Sequence, residues 1–413
     1  MSDLRKTLLS RRNKRSNAPA GPNQNYLPVK WDRYFDKEYG ITLEQGTFHV
    51  YAKGGSGPII LCLHGGGYSG LTWALFAADI FESIECQVVA LDLRGHGKTY
   101  TDNDGDLALA TLAKDAADIA NKITEDKDEP IILIGHSMGG AVAVEAAQHI
   151  NNIAGLCVID VVEGTALDAL SSMQSILRGR PSHFKSLQHA IQWCYKGGQT
   201  HNVDAAKVSM PGQIINMKTG VLAADECDNI QVIEEDLLSV RSKGEVVASA
   251  FTLTEVVEES EANTSDNCSS DCGKPPLPKT LKTETPLPPP PPLSTFKHPS
   301  DGDPDDEGPK YTWRINLSRT EPFWAGWFKG LSQKFLEVRV PKILLLANIH
   351  GLDTALTVGQ MQGKFQLQVL SKSGHAIHED QPQHVSEIIS GYLVKQRLAN
   401  VKSGFTLPPM PCC

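Results

Sequence analysis

Apolar residues in this chain follow two rhythms. Short unbroken runs stand at 59–63 (IILCL), 130–134 (PIILI) and 153–159, with another at 87–93. Runs of that length and composition predict strands buried on both faces of a sheet. A further strand is expected at 48–51. Between the runs, 71–84, 108–123 and 138–149 repeat their apolar residues at helical spacing. Strand and helix therefore alternate, which implies a mostly parallel, doubly wound sheet flanked by helices.

The rhythm changes at 163. Residues 163–253 are mostly helical in pattern, include Trp193 and offer few strands. The stretch 254–309 is acidic and polar, then runs into PLPPPPPL and DGDPDDEG, so it lacks the apolar residues a core requires. Strands resume at 342–347 and 365–370, followed by a terminal helix at 383–397. The expected organisation is one α/β domain built from 26–162 and 310–405. A helical lid (163–253) and a disordered insertion (254–309) interrupt it. A disordered basic tail (1–25) and a short C-terminal tail (406–413) flank it.

Composition narrows the function classes. The chain of 413 residues is 40% hydrophobic and 21% charged, as expected of a folded protein with a substantial core. Its net charge of −9 argues against nucleic acid or an anionic membrane as partner. No apolar run approaches the roughly 20 residues a membrane helix needs. The N-terminal residues are basic and polar without the apolar centre of a secretory signal, and RRNKR at 11–15 reads as a solvated tail rather than a nuclear address. Nine cysteines without a disulfide framework or CxxC spacing suit a reduced cytoplasmic or nuclear setting. The terminal Cys412-Cys413 follows no polybasic stretch, so lipidation is not expected.

The chemistry concentrates in a few strings. Gly135-His136-Ser137-Met138-Gly139 lies between an apolar strand and a small-residue helix, the G-x-S-x-G elbow of α/β hydrolases. Such a serine sits on a tight strand-to-helix turn, and the flanking glycines leave room for it. Leu63-His64-Gly65-Gly66-Gly67 follows an earlier strand, where this fold builds half of its oxyanion hole. The donors expected are the N–H of Met138 and that of Gly66, with Gly65 second, and His64 supports the loop. Ser137 is then the nucleophile. Gly374-His375 follows the last strand, where the base belongs, so His375 is preferred to His378 in the next helical segment. For the acid, Asp160 at the end of strand 153–159 and Asp353 beyond strand 342–347 compete closely on position. Leu91-Asp92-Leu93-Arg94-Gly95-His96-Gly97 reads as a structural turn. No metal constellation and no dinucleotide glycine pattern occurs, so no cofactor is expected.

Longer strings carry a more specific likeness. Cys157-Val158-Ile159-Asp160-Val161-Val162-Glu163-Gly164, Arg178-Gly179-Arg180-Pro181, Tyr311-Thr312-Trp313-Arg314, Trp324-Ala325-Gly326-Trp327-Phe328, Gly359-Gln360-Met361-Gln362-Gly363-Lys364-Phe365-Gln366 and Gly374-His375-Ala376-Ile377-His378-Glu379-Asp380 resemble the protein phosphatase methylesterases. The resemblance covers about 28–253 and 310–405. It implies that Asp160 is the acid beside Ser137 and His375. It also implies removal of the methyl ester from the C-terminal leucine of the type 2A serine/threonine phosphatase catalytic subunit, with that subunit docked as a folded partner. Ile230-Gln231-Val232-Ile233-Glu234-Glu235 resembles a short L-x-x-I-x-E string that binds phosphatase regulatory subunits, although an acidic loop is the preferred reading. Two other functions share these residues: a general carboxylesterase or lipase on small acyl esters, and a phosphatase-binding protein with little catalysis.

Overall fold

The computed structural model describes residues 25–227, 310–349 and 352–403. Expectations for the two tails, the 254–309 insertion and the 230–235 string fall on or run into residues outside that set.

The strands, in chain order, are β1 (Lys37–Leu43), β2 (Gly46–Lys53), β3 (Ile59–Leu63), β4 (Gln87–Leu91), β5 (Tyr100–Thr101), β6 (Ile131–His136) and β7 (Ile153–Ile159), then β8 (His183–Phe184), β9 (Ile214–Asn216), β10 (Tyr311–Trp313), β11 (Lys342–Leu346) and β12 (Gln366–Val369). The main sheet runs β1-β2-β4-β3-β6-β7-β11-β12, with β5 attached to β2. It is parallel from β4 to β12 and antiparallel at the β1 and β2 edge. Every residue of β3, β4, β6 and β11 is buried, as the unbroken apolar runs require.

The helices are α1 (Ala74–Ser83), α2 (Leu109–Ile123), α3 (Met138–Ala146), α4 (Glu163–Arg178), α5 (Leu187–Lys196), α6 (Val203–Ser209), α7 (Glu321–Phe328), α8 (Leu331–Glu337), α9 (Thr354–Met361), α10 (Ile377–Asp380) and α11 (Pro382–Lys395). They cover both faces. Because successive strand residues point to opposite sides, Ile59, Leu61 and Leu63 join Leu112, Ile119 and Val142 in one core. Ile60 and Cys62 join Phe76, Ile80 and Ile389 in the other.

Three features depart from the expected pattern. β1 is an edge strand with only Ile41 buried, so it carries little apolar signal. Among the described residues, the region after residue 163 holds α4, α5, α6 and a helical stretch at 223–227, as anticipated, but adds a small sheet, β8-β10-β9, closed by the distant segment Tyr311–Trp313. α7, α8 and α9 lie where no helix was expected.

Two buried polar networks brace the loops at the C-terminal ends of the strands. In the turn after β4, Arg94 binds Asp115 of α2 through two hydrogen bonds of 2.7 and 2.9 Å, with side-chain exposures of 5% and 2%. The same turn presents His96, whose Nε2 accepts the Gly67 N–H at 2.9 Å. In α10, Glu379 is buried and its Oε1 accepts the Thr72 hydroxyl at 2.5 Å, while His378 Nε2 lies 2.8 Å from the same hydroxyl. Burial pushes the Glu379 carboxyl up from its ordinary 4.5 to about 7, and the nearby Asp380 charge adds to the effect.

Two predictions follow from these networks. Removing one partner of a buried ion pair leaves a charge without compensation, so Asp115→Ala is expected to lose about 3–5 kcal/mol in urea unfolding. A loss under 1 kcal/mol would show that the Arg94 charge finds other partners. For Glu379, the folded state keeps its proton between about pH 4.5 and 7 while the unfolded chain has lost it. This group therefore subtracts stability as pH rises through that window. Glu379→Gln stays neutral, so its stability should gain on the wild type by roughly 2–3 kcal/mol from pH 5 to 8. A difference that does not change with pH would mean that Glu379 titrates normally.

Candidate active site

The site begins with an unusual backbone. Ser137, between β6 and α3, has φ 53° and ψ −122°. Among the described residues only Ser137, Asp160 and Arg397 combine a side chain with positive φ, and two of the three belong to this site. Such a conformation is sterically costly and persists where surrounding structure enforces it. Here the Ser137 N–H donates to Ile159 O at 3.0 Å, and its carbonyl accepts the Gly140 N–H at 2.8 Å. A Cβ on Gly135 would lie 2.1 Å from the Gly139 carbonyl oxygen. On Gly139 it would lie 2.4 Å from the carbonyl oxygens of both Leu63 and His64. Only glycine fits at either position.

Asp160, one residue past β7, has φ 52°. Its N–H donates to Leu345 O at 2.8 Å and its Oδ1 accepts the Ala347 N–H at 2.8 Å. Oδ2 is left to accept from His375 Nδ1 at 2.7 Å. That contact fixes the tautomer, because a carboxylate only accepts. Asp353, which competed with Asp160 on position, instead caps α9 by accepting the Leu356 N–H at 2.9 Å, and it also binds the Ser332 hydroxyl. Structure thus brings Asp160 to the histidine and gives Asp353 to a helix end.

Five histidines from the sequence strings, His64, His96, His136, His375 and His378, crowd this end of the sheet, and burial separates them. His64 Nε2 accepts the Leu93 N–H at 3.0 Å, while its Nδ1 lies 2.8 Å from Gly65 O. Burial holds its pKa well below the ordinary value, and that of His96 is lowered to about 4. His136 is buried and neutral for the same reason, and it donates from Nε2 to the His375 carbonyl at 2.9 Å. His378 is buried against Trp73 and depressed to about 3. His375 alone of the five has a half-exposed side chain. Among the hydrogen bonds of the described residues, none involves His375 Nε2 or Ser137 Oγ. Such geometry is common before substrate arrives.

Gly65 lies against Ser137, since a Cβ there would sit 3.3 Å from the serine Cβ. Gly66 lies beside Met138, the first residue of α3, whose N–H is one of the orphan donors of the first helical turn. Ser137, Asp160 and His375 share a cavity of about 280 Å³. Val161, Val162, Ala166, Ala169, Met173 and Phe328 give its wall an apolar side, beside the polar Thr165 and Asn348. No group of metal-ligating side chains occurs among the described residues. The motifs did not point to the supports of the histidine loop: Thr72 and His136 lie far from it in sequence, and Asp380, although inside the string 374–380, carries no role that its position would reveal.

Residues 60–208 match the model of the alpha/beta hydrolase family. An esterase of Mycobacterium tuberculosis superposes with a TM-score of 0.52 at 17% identity, covering 90% of this chain and 93% of that one. E-2-(Acetamidomethylene)succinate hydrolase gives 0.54 at 14%, covering 87% and 99%. At these identities the likeness concerns the fold. Relatives in sequence are much nearer. Protein phosphatase methylesterase 1 of Mus musculus is 42% identical over 391 residues, or 93% of this chain and 89% of the relative. That of Homo sapiens is 41% identical with the same coverage, and the probable methylesterase of Caenorhabditis elegans is 36% identical over 96% and 85%. With its α/β-hydrolase architecture and this identity along nearly its whole length, the chain belongs to the protein phosphatase methylesterase family.

Proposed function

We propose that this chain hydrolyses the methyl ester on the C-terminal leucine of the type 2A phosphatase catalytic subunit, with Ser137 as nucleophile, His375 as base and Asp160 as its orienting acid. The observation that carries the reading is the His375–Asp160 contact of 2.7 Å, set in the same cavity as a serine on a strained elbow. His375 Nε2 takes the Ser137 proton while Oγ forms a bond to the ester carbon. The carbonyl electrons move onto oxygen, and that oxyanion is held by the N–H of Met138 and of one glycine, Gly66 or, as second choice, Gly65. Collapse expels methoxide, which takes the proton from His375 and leaves as methanol. Water, deprotonated by the same imidazole, then cleaves the acyl-enzyme and restores Ser137. Asp160 stabilises the imidazolium in both halves.

The apolar side of the cavity suits an aliphatic side chain on the acyl side. Its walls come from the β7 loop, α4 and α7. Neither the proton transfers nor the oxyanion requires a cofactor.

The decisive experiment supplies intact methylated type 2A phosphatase to the wild type and to Ser137→Ala, with a small aryl ester assayed in parallel. Loss of the methyl group with the wild type, reduced by at least about 10⁴-fold in the variant, is the expected result. Turnover of the aryl ester alone would identify a general carboxylesterase. Binding of the phosphatase without hydrolysis of either substrate would identify a regulatory partner.

A further inference from the structure

Asp380, at the end of α10, is a carboxylate with 2% side-chain exposure and four hydrogen bonds. Its Oδ1 accepts the Thr200 hydroxyl at 2.9 Å and the His201 N–H at 2.6 Å. Its Oδ2 accepts His201 Nδ1 at 2.9 Å and the Gly374 N–H at 2.6 Å. Two chain segments about 180 residues apart therefore meet on one side chain. One is the loop between α5 and α6, made rigid by Asn202, which caps α6 and donates its own N–H to the Thr200 hydroxyl at 3.2 Å. The other is the peptide immediately before His375.

The fit at Gly374 is tight. A Cβ there would lie 2.9 Å from His201 Cε1 and 3.2 Å from Asp380 Oδ2, so the imidazole closes directly over the glycine backbone. His375 is otherwise held by Asp160 at its ring and His136 at its carbonyl. Those two contacts act on residue 375 itself. Upstream, Ser373 donates its N–H to Leu370 O at 3.3 Å and its hydroxyl accepts from Gln381, and the Gly374 N–H bond fixes the peptide next to His375.

We propose that Asp380 is a positioning residue for the reaction, placing His375 relative to Ser137 by tying the Gly374 peptide to Thr200 and His201. This rests on the reading of His375 as the base. Displacements of about 1 Å at a reacting group cost on the order of 100-fold in rate. An amide at position 380 would present its NH₂ to donors on one side, because all four partners donate to the carboxylate.

The test uses the full chain, a small aryl ester, and phosphonylation of Ser137 by a fluorophosphonate, so it does not depend on the phosphatase as substrate. For Asp380→Asn, kcat should fall about 10–100-fold with KM within about twofold, and phosphonylation should slow in parallel. The fall is expressed per active site, with folded protein counted by circular dichroism. His201 is 60% exposed, so His201→Ala keeps the fold, removes one of the four bonds and should show a smaller loss of the same kind. A folded Asp380→Asn protein with kcat within twofold of wild type would overturn the proposal. Should that variant fail to fold, Thr200→Val combined with His201→Ala decides, and an unchanged kcat there overturns it equally. If the wild type turns over the aryl ester but not methylated phosphatase, the substrate reading alone fails.

Discussion

Everything at this site depends on how closely α3 leaves the sheet. The Gly139 carbonyl lies where a side chain on Gly135 would be, and the carbonyls of Leu63 and His64 lie where one on Gly139 would be. With backbone against backbone, the chain turns from β6 into α3 in a single residue. That residue, Ser137, is left in a conformation costing on the order of 1–3 kcal/mol. The strain persists because the parts on either side are among the most buried of the fold: all of β6, and all of α3 but Glu145. The same contact brings the Gly65–Gly67 loop against the start of α3. One close approach therefore orients the hydroxyl and sets the glycine loop beside it.

Burial does the remaining sorting. Four of the five histidines near the site are enclosed, and desolvation disfavours their charged forms. They serve as neutral struts: His64 and His96 brace the glycine loop, His136 holds the His375 backbone, and His378 packs on Trp73 and meets Thr72. His375 has a half-exposed ring and a carboxylate at Nδ1, so a proton acquired at Nε2 would be compensated. Among the described residues, none of the other four rings has a carboxylate hydrogen-bonded to it. Environment rather than residue type distinguishes a proton carrier from a support.

Much of this was legible in the order of residues. Strands buried on both faces betray themselves as unbroken apolar runs, and β3, β4, β6, β7 and β11 all did. The elbow is legible because its steric demand is local: glycines two residues to either side of Ser137. β1 was not, since an edge strand with one buried residue has no apolar pattern to read. The β8-β10-β9 sheet was not, since strands of two or three residues exist only through pairing with a segment about 100 residues away. Asp160 and Asp353 illustrate the limit most clearly. Both follow strands, and either could have reached the histidine. What separates them is three-dimensional: Asp160 turns back under a positive φ towards His375, while Asp353 faces the N–H groups at the start of α9. Asp380 closes the string 374–380 with no chemistry assigned to it there, and its partners include a loop 180 residues away.

The cavity walls are held less firmly than its floor. The floor is the strand ends and the elbow, buried throughout. One wall, α4, has no fully buried residue over its 16 positions and rests on the core through the partly buried Leu167, Leu170, Met173 and Leu177. Polar contacts join it to the opposite side at two places: Glu163, in the first turn of α4, accepts the Gly330 and Ser332 N–H groups at the start of α8, and Gln174 donates to Glu321 of α7 at 2.5 Å. A segment with no fully buried residue and two polar clasps opens at lower free energy than the sheet beneath it. Thus the groups that transfer protons sit on the rigid layer, and the surface that admits the ester sits on the yielding one.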